Sequence, residues 1–120
     1  MGGLHVGLES PLRRGEIWTA TGSAEYASKP RPVVIVQHEN FQLLNSVTVC
    51  GFTSDPTDLP LFRILVEPST TNGLKSPSRI MTDKILTIRK VKLGRRIGRL
   101  SKEDMTRLNR AIATFLGLAD

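Results

Sequence analysis

The chain has 120 residues, 39% hydrophobic and 23% charged, a composition that fits one globular domain and excludes a disordered chain. The single cysteine, Cys50, excludes an internal disulfide and indicates a reducing compartment. No apolar run has the length of a membrane span, and residues 1–8 lack the features of a secretory signal, so the predicted location is the cytoplasm.

Five short strands are predicted in the first three quarters of the chain. Residues 1–12 show no periodicity and are predicted to form a weakly ordered extension ahead of a domain at residues 13–120. Alternating and β-branched segments then predict the strands Glu16–Ala20, Val33–Val36, Ser46–Phe52, Leu61–Val66 and Arg79–Ile88. The run Val33–Val36 is the strongest signal and is expected to be buried on both faces.

The end of the chain changes to helical spacing. Ser101 is a suitable N-cap, Asp104 follows three residues later as in a capping box, and Gly117 is a suitable stop. The apolar residues between them recur on one helix face: Met105, Leu108, Ile112, Phe115 and Leu116. Five strands followed by one helix predict an α+β, mainly β domain, in which a small antiparallel barrel carries a C-terminal helix.

The positive charge is concentrated in one stretch. There are 17 Lys and Arg residues against 11 Asp and Glu, a net charge of +6. Seven of the cations, and no acid, lie between Lys84 and Arg99. Such a stretch suits a polyanion or an acidic partner segment, and it is equally compatible with a solvated face.

Arg31 is the first candidate for chemistry. The two histidines, His5 and His38, and the one cysteine do not make a zinc site, and no Gly-x-x-x-x-Gly-Lys loop occurs. Arg31 stands between Pro30 and Pro32, so its backbone is stiff and its guanidinium is suited to a fixed phosphate. The alternative is an ordinary strand-entry residue with a carboxylate partner.

Hydroxyl and aromatic residues near strand ends are further candidates. Thr53 and Ser54 follow the third strand, where hydroxyls either bind a phosphate oxygen or cap a turn. Glu25 and Tyr26 lie in the loop before Arg31. Tyr26 is the only tyrosine, and it is expected either to stack on a nucleobase or to cover the end of the barrel.

The segments now in place resemble the MazF/PemK family of toxin endoribonucleases from about Arg13 to Leu118. RGEIW resembles the opening strand of the family, KPRPVVIVQ its Arg-Pro signature, and VTVCGFTSD the strand that ends in a Thr-Ser pair. The segments LPLFRILVEPS, NGLKSPSRIMTDKILTI and IGRLSKEDMTRLNRAIATFLGL follow in family order. Several motifs in the right order over one short domain carry the resemblance.

The resemblance implies a Src-homology-3-like barrel of the CcdB/Kid/MazF type and the toxin half of a type II toxin–antitoxin system. Such a toxin is a homodimer that arrests growth by cutting single-stranded mRNA at specific sequences. It needs no metal or other cofactor and leaves a 2′,3′-cyclic phosphate. A cognate antitoxin with a flexible, often acidic segment neutralises it and links it to operator DNA; no membrane is involved.

The resemblance also implies roles for particular residues. Arg31 and Thr53 match the catalytic arginine and threonine of the family, and Ser54 adjoins the same phosphate site. Asp83 matches an acidic position in a strand that lines the RNA groove. Many members continue with Gln-x-Arg after that position, which this chain lacks.

The substrate-binding set follows from these matches and departures. Lys84 or Arg79 is expected to supply the charge of the missing arginine. Glu25 and Tyr26 stand where some members have a histidine, and Lys29 belongs to the Arg-Pro signature. The full predicted set is Glu25, Tyr26, Lys29, Ser54, Arg79, Asp83 and Lys84.

Two other functions remain open at this point. A gyrase-poisoning toxin like CcdB ends in Trp-Gly-Ile, whereas this chain ends in Gly117, Leu118, Ala119 and Asp120, which counts against that function. A non-catalytic nucleic-acid-binding barrel would bind through the stretch from Lys84 to Arg99 and would not cut.

Overall fold

The architecture was analysed in a computed structural model, which describes residues 12–21 and 29–119. The predicted N-terminal extension, apart from Leu12, lies outside the described residues. The described residues form six strands and one helix: β1 Glu16–Ala20, β2 Arg31–Ile35, β3 Ser46–Thr53, β4 Arg63–Val66, β5 Ser78–Arg89, β6 Leu93–Arg99 and α1 Lys102–Phe115. Single turns of 3-10 helix at Glu39–Phe41 and Lys90–Lys92 precede β3 and β6.

All five predicted strands are present, and their β-branched residues explain why they were found. β2 carries the strongest run, and Val33, Val34 and Ile35 are buried there as predicted. The strands pair antiparallel in one sheet with the order β4-β5-β3-β2-β1-β6.

The strand β6 was missed, and the sheet is not the closed barrel that was predicted. The α+β, mainly β class with a C-terminal helix is confirmed. In the part of the chain that the structure describes, however, β4 and β6 remain the two edges of the sheet. The loop after β4 meets β6 in place of β4 itself, because Arg99 N donates to Thr71 O at 3.0 Å. This contact between the loop and β6 stands where strand pairing would close a barrel.

Apolar side chains fill both faces of the sheet. On one face, Ile17, Val34 and Ile80 pack with Leu108 and Ala111 of α1. On the other face, a smaller cluster surrounds Val47 and Val49. The central strands are therefore buried on both sides, which fixes their register and hence the positions of the polar residues at their ends.

The helix begins and ends as the sequence predicts. Ser101 Oγ accepts the backbone N–H of Asp104 at 3.1 Å, which satisfies one of the free donors of the first turn. The carboxylate of Asp104 bonds Arg107 at 2.8 Å. Gly117 follows the C-cap with a φ of 75°, a left-handed conformation that glycine adopts without strain. None of the described helices is long and apolar enough to cross a membrane.

Replacement of Gly98 by alanine is expected to destabilise the fold. A Cβ atom at Gly98 would lie 2.4 Å from the carbonyl oxygens of Thr71 and Asn72, and both are backbone atoms that cannot rotate away. We expect Gly98→Ala to lower the free energy of unfolding by about 1–3 kcal/mol, the usual cost of overpacking. Thermal denaturation of the two proteins measures this loss. An unchanged midpoint would contradict the close approach of the loop to β6.

Candidate active site

The register of the strands brings Arg31 and Thr53 together at one end of the sheet. Arg31 is the first residue of β2, pairs with Ala20 of β1 and has an exposed side chain. β2 and β3 pair antiparallel through Val33 and Gly51. The same register, continued by two residues in each strand, places Arg31 opposite Thr53 on the same face. The two residues matched to catalytic positions are thus neighbours across adjacent strands.

A second cation lies on the next strand. Thr53 is the last residue of β3 and pairs with Arg79 of β5, whose partner on the other side is Leu65 of β4. Directly paired residues of antiparallel strands project to the same face, so Arg31, Thr53 and Arg79 form a row across this end of the sheet. Arg79 Nη1 also donates to the backbone carbonyl of Asp55 at 3.4 Å.

The side chain of Thr53 is oriented by the turn that follows it. Thr53 Oγ1 accepts the backbone N–H of Asp55 at 3.1 Å, which leaves the hydroxyl proton to be donated. The carboxylate of Asp55 accepts from the backbone N–H of Thr57 at 2.9 Å and from its hydroxyl at 2.7 Å. These bonds hold the pKa of Asp55 below its ordinary value, so the turn keeps its hydrogen bonds at neutral pH.

A cavity of about 330 Å³ adjoins Arg79 at the outer edge of β4. β4 forms one wall and the second half of α1 forms the other. Four arginines and one acid line it: Arg63, Arg79, Arg107, Arg110 and Asp58. Arg63 and Arg107 are paired with Asp83 and Asp104, so the charge left for an anionic ligand comes from Arg79 and Arg110.

Asp83 is held by an arginine that the sequence analysis did not single out. Arg63 of β4 makes a bidentate ion pair with Asp83 of β5, with Nε–Oδ1 at 2.8 Å and Nη2–Oδ2 at 3.0 Å. The side chains are 12% and 18% exposed, so both are largely removed from water. The pair lowers the pKa of Asp83 and raises that of Arg63, mainly through the hydrogen bonds. The sequence did contain one signal for this pair. Asp83 is a charged residue inside a predicted strand, and a charge that is removed from water requires a partner.

The remaining predicted site residues flank this row or lie outside the described chain. Lys29 and Ser54 are exposed beside the first residue of β2 and the last residue of β3. Lys84 is exposed farther along β5. The pairing of β3 with β5 is irregular there, because the four residues 81–84 of β5 lie opposite the single residue Gly51 of β3. Glu25 and Tyr26 lie outside the described residues.

Neither a metal cluster nor an activated thiol accompanies the row. Among residues 12–21 and 29–119, no group of three His, Cys, Asp or Glu side chains could hold a metal ion. Cys50 is buried in the core, and burial raises the pKa of its thiol to about 12. It is therefore protonated at neutral pH and is not a nucleophile.

Comparisons with known proteins identify the family of the chain. The profile of the family described as "PemK-like, MazF-like toxin of type II toxin-antitoxin system" matches residues 13–116. A probable endoribonuclease MazF of Mycolicibacterium smegmatis is 46% identical over 108 residues, which span 90% of this chain and 99% of that protein.

Solved structures share the fold over nearly the whole chain. The Mycobacterium tuberculosis toxin MazF-mt6 matches with a TM-score of 0.74 and 31% identity, over 88% of this chain and 99% of that one. An endoribonuclease from a Mycobacterial species, solved in complex with its cognate antitoxin, also has a TM-score of 0.74, at 25% identity, over 90% of this chain and 97% of that one.

The class that the fold and these matches define is a small toxin with one antiparallel sheet and a C-terminal helix. The chain belongs to the family of PemK-like, MazF-like toxins of type II toxin–antitoxin systems. The predicted function, a MazF-like toxin endoribonuclease of a toxin–antitoxin system, is confirmed at this level, and gyrase poisoning and non-catalytic binding are not favoured.

Proposed function

We propose that this chain cuts single-stranded RNA, mRNA above all, at specific sequences through the row of Arg31, Thr53 and Arg79, without a metal ion. The observation that carries the proposal is the strand register: Thr53 pairs with Arg79, and the β2–β3 pairing, continued by two residues beyond Val33 and Gly51, sets Arg31 opposite Thr53. Two cations and a hydroxyl on one face can hold a single phosphate and the charge that develops on it.

The reaction follows from the chemistry of RNA itself. The ribose 2′-oxygen attacks the adjacent phosphorus and loses its proton, while the bond from phosphorus to the 5′-oxygen breaks and that oxygen gains a proton. The products are a 2′,3′-cyclic phosphate and a 5′-hydroxyl. The chain must hold the 2′-oxygen, phosphorus and leaving oxygen in line and stabilise the charge on the phosphate oxygens.

Arg31 and Thr53 divide this task. The guanidinium of Arg31, on a backbone stiffened by Pro30 and Pro32, stabilises the charge on the phosphate oxygens electrostatically. Because a guanidinium offers several N–H donors and no acceptor, the main role of Arg31 is that of a fixed cation. Thr53 donates its hydroxyl proton to a phosphate oxygen, while the backbone N–H of Asp55 donates to Thr53 Oγ1 and so fixes the position of the hydroxyl.

The other predicted residues would bind the nucleotides on either side. Lys29, Ser54 and Lys84 are exposed near the row, and Arg79 faces the cavity beside β4. Asp83 acts here through Arg63, which it fixes at the wall of that cavity. Glu25 and Tyr26, which precede Arg31 in the sequence, are the proposed general base and the proposed base-stacking aromatic.

The proposed partners are those of a neutralised toxin. A relative with a TM-score of 0.74 has been solved in complex with its cognate antitoxin. We expect this chain to form a homodimer, to bind its own cognate antitoxin and to reach operator DNA through that antitoxin. Its location in the cytoplasm also stays a prediction.

Cleavage in the presence of a chelator tests the proposed chemistry. Purified protein incubated with labelled mRNA in excess EDTA is expected to cut it and to leave 2′,3′-cyclic phosphate ends, because the 2′-oxygen is the nucleophile. The ends are identified by their resistance to a phosphatase until acid opens the ring. Loss of cleavage in EDTA, with recovery on addition of Mg²⁺ or Zn²⁺, would contradict the mechanism. A substrate with 2′-deoxy sugars is the control and should remain uncut.

A further inference from the structure

A second cavity of about 330 Å³ lies at the opposite end of β1 from Arg31. It is formed by the start of β1, the end of β6 and the first turn of α1. Four arginines line it together with one carboxylate: Arg13, Arg14, Arg96, Arg99 and Glu16. The residues proposed for cleavage contribute nothing to it, so its charge needs a separate explanation.

The positive charge of this cavity is only partly neutralised. Glu16 is 6% exposed, and its carboxylate accepts from Trp18 Nε1 at 3.0 Å and lies 3.6 Å from Arg96 Nη1. Arg14 is committed to the fold, since its Nε donates to Val36 O at 2.6 Å. In the described part of the chain, Arg13 and Arg99 take part in no salt bridge and have exposed side chains. Like charges gathered around one cavity favour an anion between them.

The strand β6 connects this cavity with the proposed cleavage site. Ala20 of β1 pairs with Arg31 on one side and with Leu93 of β6 on the other, whereas Glu16 pairs with Arg99. β6 therefore runs from a point one strand away from Arg31, across Ala20 of β1, to the cavity, a distance of about 13 Å along β1 at about 3.3 Å per residue. Exposed cations lie at both ends of β6 and along it: Lys92, Arg95, Arg96 and Arg99.

We propose that the cavity lined by Arg13, Arg96 and Arg99 is a second phosphate-binding subsite for the same single-stranded RNA. In this proposal the RNA backbone runs along β6, an edge strand, between the two sites. The inference rests on the proposed cleavage site, because Arg31 marks the position of the cleaved phosphate, from which the RNA would extend toward the cavity. Evenly spaced phosphates match a row of cations, and the guanidinium fork binds a phosphate through two parallel hydrogen bonds.

A remote subsite has a kinetic signature. It contacts the substrate far from the reacting atoms in both the ground state and the transition state, so its loss weakens binding without slowing the bound reaction. Long RNA should therefore show a raised KM and an unchanged kcat. Short RNA, which cannot reach the cavity, should show the KM and the kcat of the wild-type protein.

Oligonucleotide length and salt together test the subsite. The probes cannot be cleaved, because all their sugars are 2′-deoxy. One is a dinucleotide, whose single phosphate cannot occupy both sites, and the other is a mixed-sequence strand of about 16 nucleotides, long enough to span them. We expect the double variant Arg13→Gln/Arg99→Gln to bind the longer probe about tenfold more weakly and the shorter probe unchanged. Each lost phosphate contact should reduce the slope of log affinity against log salt by about 0.7.

Arg89→Gln is the matched control. Arg89 is an exposed arginine of the same basic stretch, at the end of β5 opposite Ser46, and its removal should leave the 16-nucleotide affinity and slope near wild type. Equal losses for both probe lengths, or unchanged binding of the longer one, would overturn the proposal. Unchanged DNA binding with weakened binding of an acidic peptide would also overturn it and identify a peptide-docking site. Full cleavage activity of Arg31→Ala would instead count against the cleavage site alone.

Discussion

Arg31→Ala is expected to lower the rate of RNA cleavage by about 10²- to 10³-fold, the usual loss when one preorganised donor to an oxyanion is removed. Arg31 stands at the entrance of β2, and the β2–β3 register continued from Val33 and Gly51 sets it opposite Thr53, so both residues can meet one phosphate. Single-turnover cleavage of labelled RNA at saturating protein measures the bound reaction directly. Growth arrest on expression should disappear in parallel.

Two controls separate chemistry from folding. The side chain of Arg31 is exposed, so the thermal midpoint of Arg31→Ala should remain near that of wild type. Arg89→Ala removes an equally exposed arginine from the far end of the sheet and should retain full cleavage. A fully active Arg31→Ala protein would disprove the catalytic assignment, whereas an unfolded one would assign a structural role to this residue.

The strands that the sequence predicted are those whose residues carry a strong local signal. Val33–Ile35 and the alternating Val47 and Val49 are β-branched and buried, so local preference and tertiary packing agree. β6 has no such signal, because Gly94, Gly98 and its arginines disfavour a strand when considered alone. Its glycines are required by neighbours distant in sequence, since a Cβ at Gly94 would lie 2.4 Å from Thr19 Oγ1.

The candidate site was predictable residue by residue, but its pairings were not. Arg31 and Thr53 were identified from a family resemblance, while their placement opposite one another follows from the β2–β3 register. The partner of Asp83 depends on how β4 aligns with β5, where Arg63 pairs with Met81. The sequence of one strand contains no information on that alignment, so Asp83 was interpreted as a direct RNA contact without its arginine.

The ion pair between Arg63 and Asp83 is expected to stabilise the fold substantially. Asp83→Asn removes the charge that two short hydrogen bonds satisfy and leaves the guanidinium of Arg63, whose side chain is 12% exposed, without its carboxylate. We expect the free energy of unfolding to fall by about 2–4 kcal/mol, because a largely buried charge loses its partner. Urea denaturation at pH 7 measures the loss, and Asp58→Asn, at an exposed aspartate, should change stability little.

The pH dependence of that loss identifies its origin. Arg63 lowers the pKa of Asp83 in the folded chain, so the stabilisation is fully present above the unfolded-state pKa of about 3.9 and is lost as the pH falls through the folded value. The difference in stability between wild type and Asp83→Asn should therefore be constant near neutrality and shrink in acid. The double variant Arg63→Leu/Asp83→Leu should be less destabilised than Asp83→Asn, since no charge remains buried alone. A difference in stability that did not change with pH would exclude the ion pair as its source.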